Sequence, residues 1–229
     1  MCVWMMEMKR YTPPPSLLYK QSSGRLFNIS PADLHPASRN HTISSAAMSP
    51  LLVLLGATLC ALTMSSEVVP QADFNLQGIA GKWYLIGFAT NAQWFVKRKA
   101  TMKMGTAMLN PTAEGDLDIS YASLSSDGSC WRKNSLAKKT DTPGRFTYTC
   151  QRWGSENDMR VVDVNYEQYA LIYTTKKKAG ELTTVTKLYG REEEVGAEVM
   201  EKFRQMSLEA GALPENIVFL PKQPECPAA

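Results

Sequence analysis

From residue 82 onward, apolar and polar positions alternate in short runs, each closed by Gly, Pro, Asp or Asn. This period of two is the signature of half-buried strands. It predicts strands near 82–91, 99–109, 116–123, 130–138, 144–151, 158–165, 168–176 and 182–190. Eight such strands joined by hairpin turns close into an all-β, antiparallel up-and-down β-barrel, whose interior holds one small ligand. The period then changes. Across 192–210, Val195, Val199, Phe203 and Met206 share one helical face, which predicts a single α-helix packed on the barrel. Glu192, Glu193 and Glu194 suit the positive end of its dipole, Gly211 is placed to end it, and Pro214 prevents its resumption. The β-rich run Ile217 to Leu220 predicts a short final strand along the barrel edge.

Ahead of this pattern lies a different kind of segment. The apolar run Leu51 to Met64 is too short to span a bilayer, which needs about 20 residues, but it suits the core of a signal peptide. We assign residues 48–65 to that peptide; a buried helix is the alternative, disfavoured because the run lacks polar positions at helical spacing. Residues 1–47 are rich in Pro, Ser and Arg, show no sustained period and are expected to be disordered. Because Met48 opens a well-shaped signal peptide by itself, 1–47 reads as an extension from an upstream start codon. The working domain is then 66–229.

Charge and residue counts narrow the chemistry of that domain. Residues 1–65 carry five basic and two acidic side chains, leaving twenty of each sign in the remainder. No basic stripe survives there for nucleic acid or anionic lipid. Both histidines, His35 and His41, precede the domain, which excludes Ser-His-Asp and Cys-His catalysis and imidazole metal sites within it. Three cysteines follow residue 65: Cys130, Cys150 and Cys226. In an oxidising compartment an odd count implies one disulfide and one leftover thiol. Linking Cys130, at the start of a strand, to Cys226 would tie the tail to the barrel wall and leave Cys150 as the thiol.

The order of signal, Gly81-Lys82-Trp83, eight strands, helix, short strand and terminal Cys resembles the lipocalin family. Asp163-Val164-Asn165-Tyr166 stands where the family carries a Thr-Asp-Tyr turn, with Val164-Asn165 replacing Thr-Asp. Arg191, after Leu188-Tyr189-Gly190, stands where the family places an arginine that packs across Trp83. The resemblance thus implies a barrel floor built from Gly81, Trp83, Tyr166 and Arg191. Tyr166 to Leu171, Arg152 to Ser155 and Asn216 to Pro221 further resemble the prostaglandin-D synthase branch. That branch acts through a cavity cysteine on the second strand, and the matching position here is Gly105. Leu85 and Tyr121 also replace serines of that branch. The resemblance therefore implies a barrel that binds but does not isomerise.

Parity from an inward Trp83 sketches the ligand site. Trp83, Leu85, Gly87 and Ala89 would form one wall; Lys103, Gly105 and Ala107 a second; Leu117, Ile119 and Tyr121 a third; Phe146 and Tyr148 a fourth. This is an apolar pocket with few polar groups, as small-molecule sites usually are. An inward Lys103 would pair with a ligand carboxylate; the alternative is that it snorkels to solvent at the rim. Trp94 would form a lid over the open end or pack on the rim. Lys97 to Lys99 and Lys176 to Lys178 read as solvated loop charges.

The expected function is a secreted carrier of retinoids, fatty acids, prostanoids or similar hydrophobic molecules, without cofactor or metal. A cell-surface receptor is a further class of partner, and the domain is expected to be a monomer with no nucleic acid and no stable membrane insertion. The alternative is a prostaglandin-H2 D-isomerase whose thiol has moved to Cys150; the competing reading of Cys150 is a small buried hydrophobe. Capture of iron through a siderophore ranks last, because it wants several cavity cations and the sequence offers only Lys103.

Overall fold

The computed structural model describes residues 67–227 other than Arg152 and Trp153. The readings of 1–47 and of the 48–65 signal peptide lie outside these residues. The strands are β1 (Gly81–Thr90), β2 (Thr106–Pro111), β3 (Leu117–Leu124), β4 (Cys130–Lys139), β5 (Arg145–Cys150), β6 (Ser155–Asn165), β7 (Tyr169–Lys178), β8 (Glu181–Gly190) and β9 (Ile217–Phe219). Among the described residues two α-helices accompany them, the one-turn α1 (Gln93–Val96) and α2 (Ala197–Glu209). Each of the first eight strands pairs antiparallel with its neighbour, and β1 pairs with both β8 and β2, which closes the barrel. Farther along β1, Gly87–Ala89 takes β9 as its partner, outside the barrel proper.

The hairpins between β2 and β3, β4 and β5, and β6 and β7 gather at one end. There the segment before β1 crosses the opening. Phe74 meets Phe146 edge-on at 6.0 Å, the Gln71 amide donates to the Val161 carbonyl at 2.8 Å, and the Asn75 amide donates to Tyr166 Oη at 2.6 Å. At the opposite end, α1 folds inward so that Phe95, fully buried, lies 5.2 Å from the Phe88 ring. The ring inserted over the open end is thus Phe95, while half-buried Trp94 packs against it at 5.9 Å.

Three expected boundaries move. The second strand begins at Thr106, because the chain must leave the barrel end after β1 and return. Residues 99–101 form a 3-10 turn, and the Met104 amide bonds to the Pro221 carbonyl at 3.0 Å rather than to a ladder. The helix starts at Ala197, capped by Gly196 in extended conformation. Glu193 and Glu194 are therefore outside it and pair with Lys222 at 3.5 and 2.6 Å. Lys176 to Lys178 belong to β7 and not to a loop.

The α2 face does pack on the barrel. A Cβ at Gly87 would lie 2.7 Å from the Phe203 ring, so this glycine permits the close approach. Ser207 Oγ meets Thr186 Oγ1 at 2.6 Å, satisfying two buried hydroxyls at the same interface. Gly211, at φ +84°, ends the helix in the left-handed conformation that favours glycine. The tail is then tied down by the Cys130–Cys226 disulfide, with Cα atoms 5.7 Å apart. Glu225 adds an ion pair to Lys82 at 2.7 Å and accepts a hydrogen bond from Tyr84 Oη at 2.6 Å.

Candidate functional site

The closed end is built first. Trp83 is fully buried, donates from Nε1 to the Ile79 carbonyl at 2.8 Å, and lies 3.8 Å beneath the Arg191 guanidinium. Arg191 also donates to the carbonyls of Tyr166, Lys82 and Gly78 at 2.8, 3.0 and 3.1 Å. One guanidinium thereby joins three chain segments over an aromatic face. Gly81 (φ +100°) supplies the left-handed turn into β1 beside Arg191.

Above this floor lies a small, narrow cavity of about 30 Å³. Leu109, Leu117, Ile119, Met159 and Ile172 make it apolar, and Tyr121, Tyr148, Tyr189, Ser135 and Lys187 bring polar atoms to it. The Tyr121 and Tyr148 hydroxyls are buried with no hydrogen-bond partner. Burial holds both phenols above their ordinary pKa, so they stay neutral donors.

Lys187 is the residue that sequence reading missed. It is 4% exposed and donates to Tyr189 Oη at 3.4 Å. Burial, with the nearby Lys133 charge, lowers its amine to about 7. Lys133 pairs across the ladder with inward Tyr121 and is lowered to about 8, by burial first and the Lys176 charge second. Lys176 is lowered by the same two kinds of cause, its like-charge neighbour being Lys178. Its partner on β6 is Asn157, two residues before the cavity-lining Met159. Three lysines from β4, β7 and β8 therefore face inward, and among the described residues no carboxylate lines the cavity. Among the described residues no group of His, Cys, Asp and Glu could hold a metal ion.

A local irregularity explains why parity misassigned β1. Its register against β8 shifts between Leu85 and Gly87. A bulge inserts one unpaired residue and exchanges the two faces beyond it. Gly87 and Ala89 therefore face outward, opposite Leu188 and Thr186 under α2, while Phe88 faces inward opposite Lys187.

Of the ten candidate ligand residues, the cavity gathers Leu117, Ile119, Tyr121 and Tyr148. Trp83, Leu85 and Phe146 are buried in the core outside its lining. Lys103 is exposed, because β2 has not yet begun and Met102 and Met104 turn into the core on either side of it. Gly105 is buried, and its missing side chain is replaced by a neighbour: a Cβ there would lie 2.5 Å from Tyr121 Cζ, closer still to its Oη, and 2.7 Å from the Ala122 carbonyl. Cys150 faces the barrel interior with Sγ 3.7 Å from Lys133 Nζ.

A closed eight-stranded barrel with an outer helix and an Arg-over-Trp floor defines a lipocalin. Residues 80–223 match the lipocalin / cytosolic fatty-acid binding protein family, and the chain belongs to it. It is 39% identical over 168 residues to a lipocalin of Rhinella marina, covering 73% of this chain and 91% of the relative. It is 37% identical to prostaglandin-H2 D-isomerase of Canis lupus familiaris, covering 76% and 92%. It is 34% identical to the extracellular fatty acid-binding protein of Gallus gallus, covering 76% and 94%. Among solved structures it resembles the siderocalin Ex-FABP, described as functioning through dual ligand specificities, with a TM-score of 0.57 and 32% identity over 65% of this chain and 99% of that one.

Proposed function

We propose that the protein is an extracellular, non-enzymatic carrier of a slender hydrophobic molecule with an anionic head group. The carrying observation is the set of inward lysines, Lys133, Lys176 and Lys187, over an apolar cavity that no carboxylate lines. Uncompensated ammonium groups in a low-dielectric site favour an anion strongly, since burial of unpaired charge is costly. The extracellular fatty acid-binding relative and the Cys130–Cys226 disulfide support a carrier outside the cell. The alkyl part would lie against Leu117, Ile119, Met159 and Ile172, and the head group nearer the open end against Lys133 and Lys176.

One feature argues against turnover. The prostaglandin-D synthase route needs a thiol at position 105, where Gly105 has none and Tyr121 fills the space. A second reading, capture of an iron–siderophore complex, draws on the same three lysines; the small cavity favours a slender, flexible chain over that bulky cargo. Competition of palmitate, hexadecanol and a ferric catecholate siderophore for the cavity, followed by Trp fluorescence, decides between them. Replacing Lys133 and Lys176 together by Ala should weaken palmitate by about tenfold or more, roughly 1.4 kcal/mol, and leave hexadecanol nearly unchanged. Equal losses for acid and alcohol would overturn the proposal, and preferred binding of the siderophore would replace it.

A further inference from the structure

We propose that Lys187 captures aldehydes: its amine condenses with the carbonyl of an elongated apolar aldehyde seated in the barrel and holds it as a reversible imine. The inference rests on the barrel taking up hydrophobic molecules but asks something different of them, a carbonyl at the depth of Lys187. Three observations carry it.

The amine sits where an ammonium has little to hold it. Its contacts are a 3.4 Å hydrogen bond to Tyr189 Oη and two distant aromatic faces, Phe88 at 5.9 Å and Tyr189 at 5.7 Å. The groups around it are Phe88 from β1, Tyr121 from β3, Lys133 from β4, Tyr148 from β5, and Ile172 from β7, with Tyr189 on its own strand; none is acidic. Desolvation together with a neighbouring cation is the way proteins turn a lysine into a nucleophile, because both leave it neutral near physiological pH. The same two influences act here, and the amine titrates at about 7.

The second observation is the pair of orphan hydroxyls. Tyr121 and Tyr148 reach the same cavity and have no partner for their buried oxygens. A carbonyl oxygen in the cavity would accept from such donors, and the same donors would stabilise the hydroxyl that leaves as water. The third observation is the apolar wall of Leu109, Leu117, Ile119 and Met159, which suits a hydrocarbon chain and limits the water that would hydrolyse an imine.

The chemistry balances without an oxidant. The neutral Nζ lone pair attacks the carbonyl carbon, a C–N bond forms, and the carbonyl π pair moves to oxygen. One nitrogen proton passes to that oxygen, giving a carbinolamine. Its hydroxyl leaves as water after taking a second proton, the nitrogen lone pair closes the C=N bond, and the remaining nitrogen proton is released. One amine and one aldehyde become one imine and one water.

The test uses the full-length protein with all-trans-retinal as the aldehyde and retinol as the matched alcohol. Cyanoborohydride reduces an imine to a stable secondary amine, which intact mass and peptide mapping locate. We expect one retinyl group per chain, on Lys187. Lys187→Met should lose the adduct while retinol still quenches Trp fluorescence, showing an intact cavity; Lys103→Ala, at an exposed position outside the cavity, should keep it. Retinol binding without trapped retinal, or trapping that persists in Lys187→Met or maps to surface lysines, would overturn the imine and leave the carrier reading standing. Failure of both retinoids to bind the unaltered protein would overturn the imine, and only a parallel failure of palmitate would overturn the carrier reading with it.

Discussion

Lys187→Met should make the ligand-free protein more stable, and by an amount that depends on pH. Methionine is close to lysine in length and lacks the charge, so the variant keeps the wall and removes the cost of a buried amine. The amine is lowered from the ordinary 10.5 to about 7, which at 1.4 kcal/mol per pH unit bounds the cost at roughly 5 kcal/mol. Water entry and local relaxation reduce it, and we expect about 2–4 kcal/mol. The sign follows from proton counting. Between about 7 and 10.5 the unfolded chain carries the proton and the folded protein does not, so unfolding takes up a proton and stability rises with pH. Below about 7 both states are protonated and the penalty is constant and maximal. Urea unfolding of the two proteins at about pH 6.5 and about pH 9 should show the variant ahead at the lower pH. Its lead should narrow measurably at the higher pH. A lead that does not narrow, or a variant less stable at about pH 6.5, would refute the argument that Lys187 is buried without a counterion.

Gly105→Cys should destabilise the fold by about 1–3 kcal/mol through overpacking against Tyr121. Tyr121→Ser in the same chain should recover part of that loss, and a double-mutant cycle by thermal unfolding that finds no coupling would sink the pairing. Arg191→Ala should cost about 3 kcal/mol, since it removes three charge-assisted hydrogen bonds and the stack on Trp83; a change under about 1 kcal/mol in urea unfolding would show that the floor does not depend on it. Replacing Cys130 and Cys226 together by Ser opens a loop of sequence separation 96 and should cost up to about 4.7 kcal/mol on the chain-entropy model. The Lys82–Glu225 pair persists on that tail, so calorimetry should still find a cooperative transition, and loss of cooperativity would contradict the tail's secondary role.

The local pattern of the chain settled the elements. Period-2 runs placed eight strands within a few residues of their observed bounds everywhere except β2, and the apolar positions around Phe203 placed the helix that packs beneath Gly87. Gly81, Trp83 and Arg191 were legible as a floor, and Cys130 and Cys226 as a pair, because each is defined by residue type and order along the chain.

The cavity wall was decided by tertiary structure, for three physical reasons. Which face of a strand points inward is counted through the register, so one bulge between Leu85 and Gly87 exchanged Gly87 and Ala89 for Phe88. Strand alternation carries a face only where a ladder exists, and Lys103, five residues before the exposed Met108, precedes the start of β2. Finally, β8 is covered on its outer side by α2, so Thr186 and Leu188 are as buried as Lys187 and Tyr189, and no binary pattern there marks an inward lysine. The sequence by itself determined that a barrel would form and that position 105 would lack a thiol. Only the packed barrel determined that Tyr121 occupies that space and that three lysines meet inside.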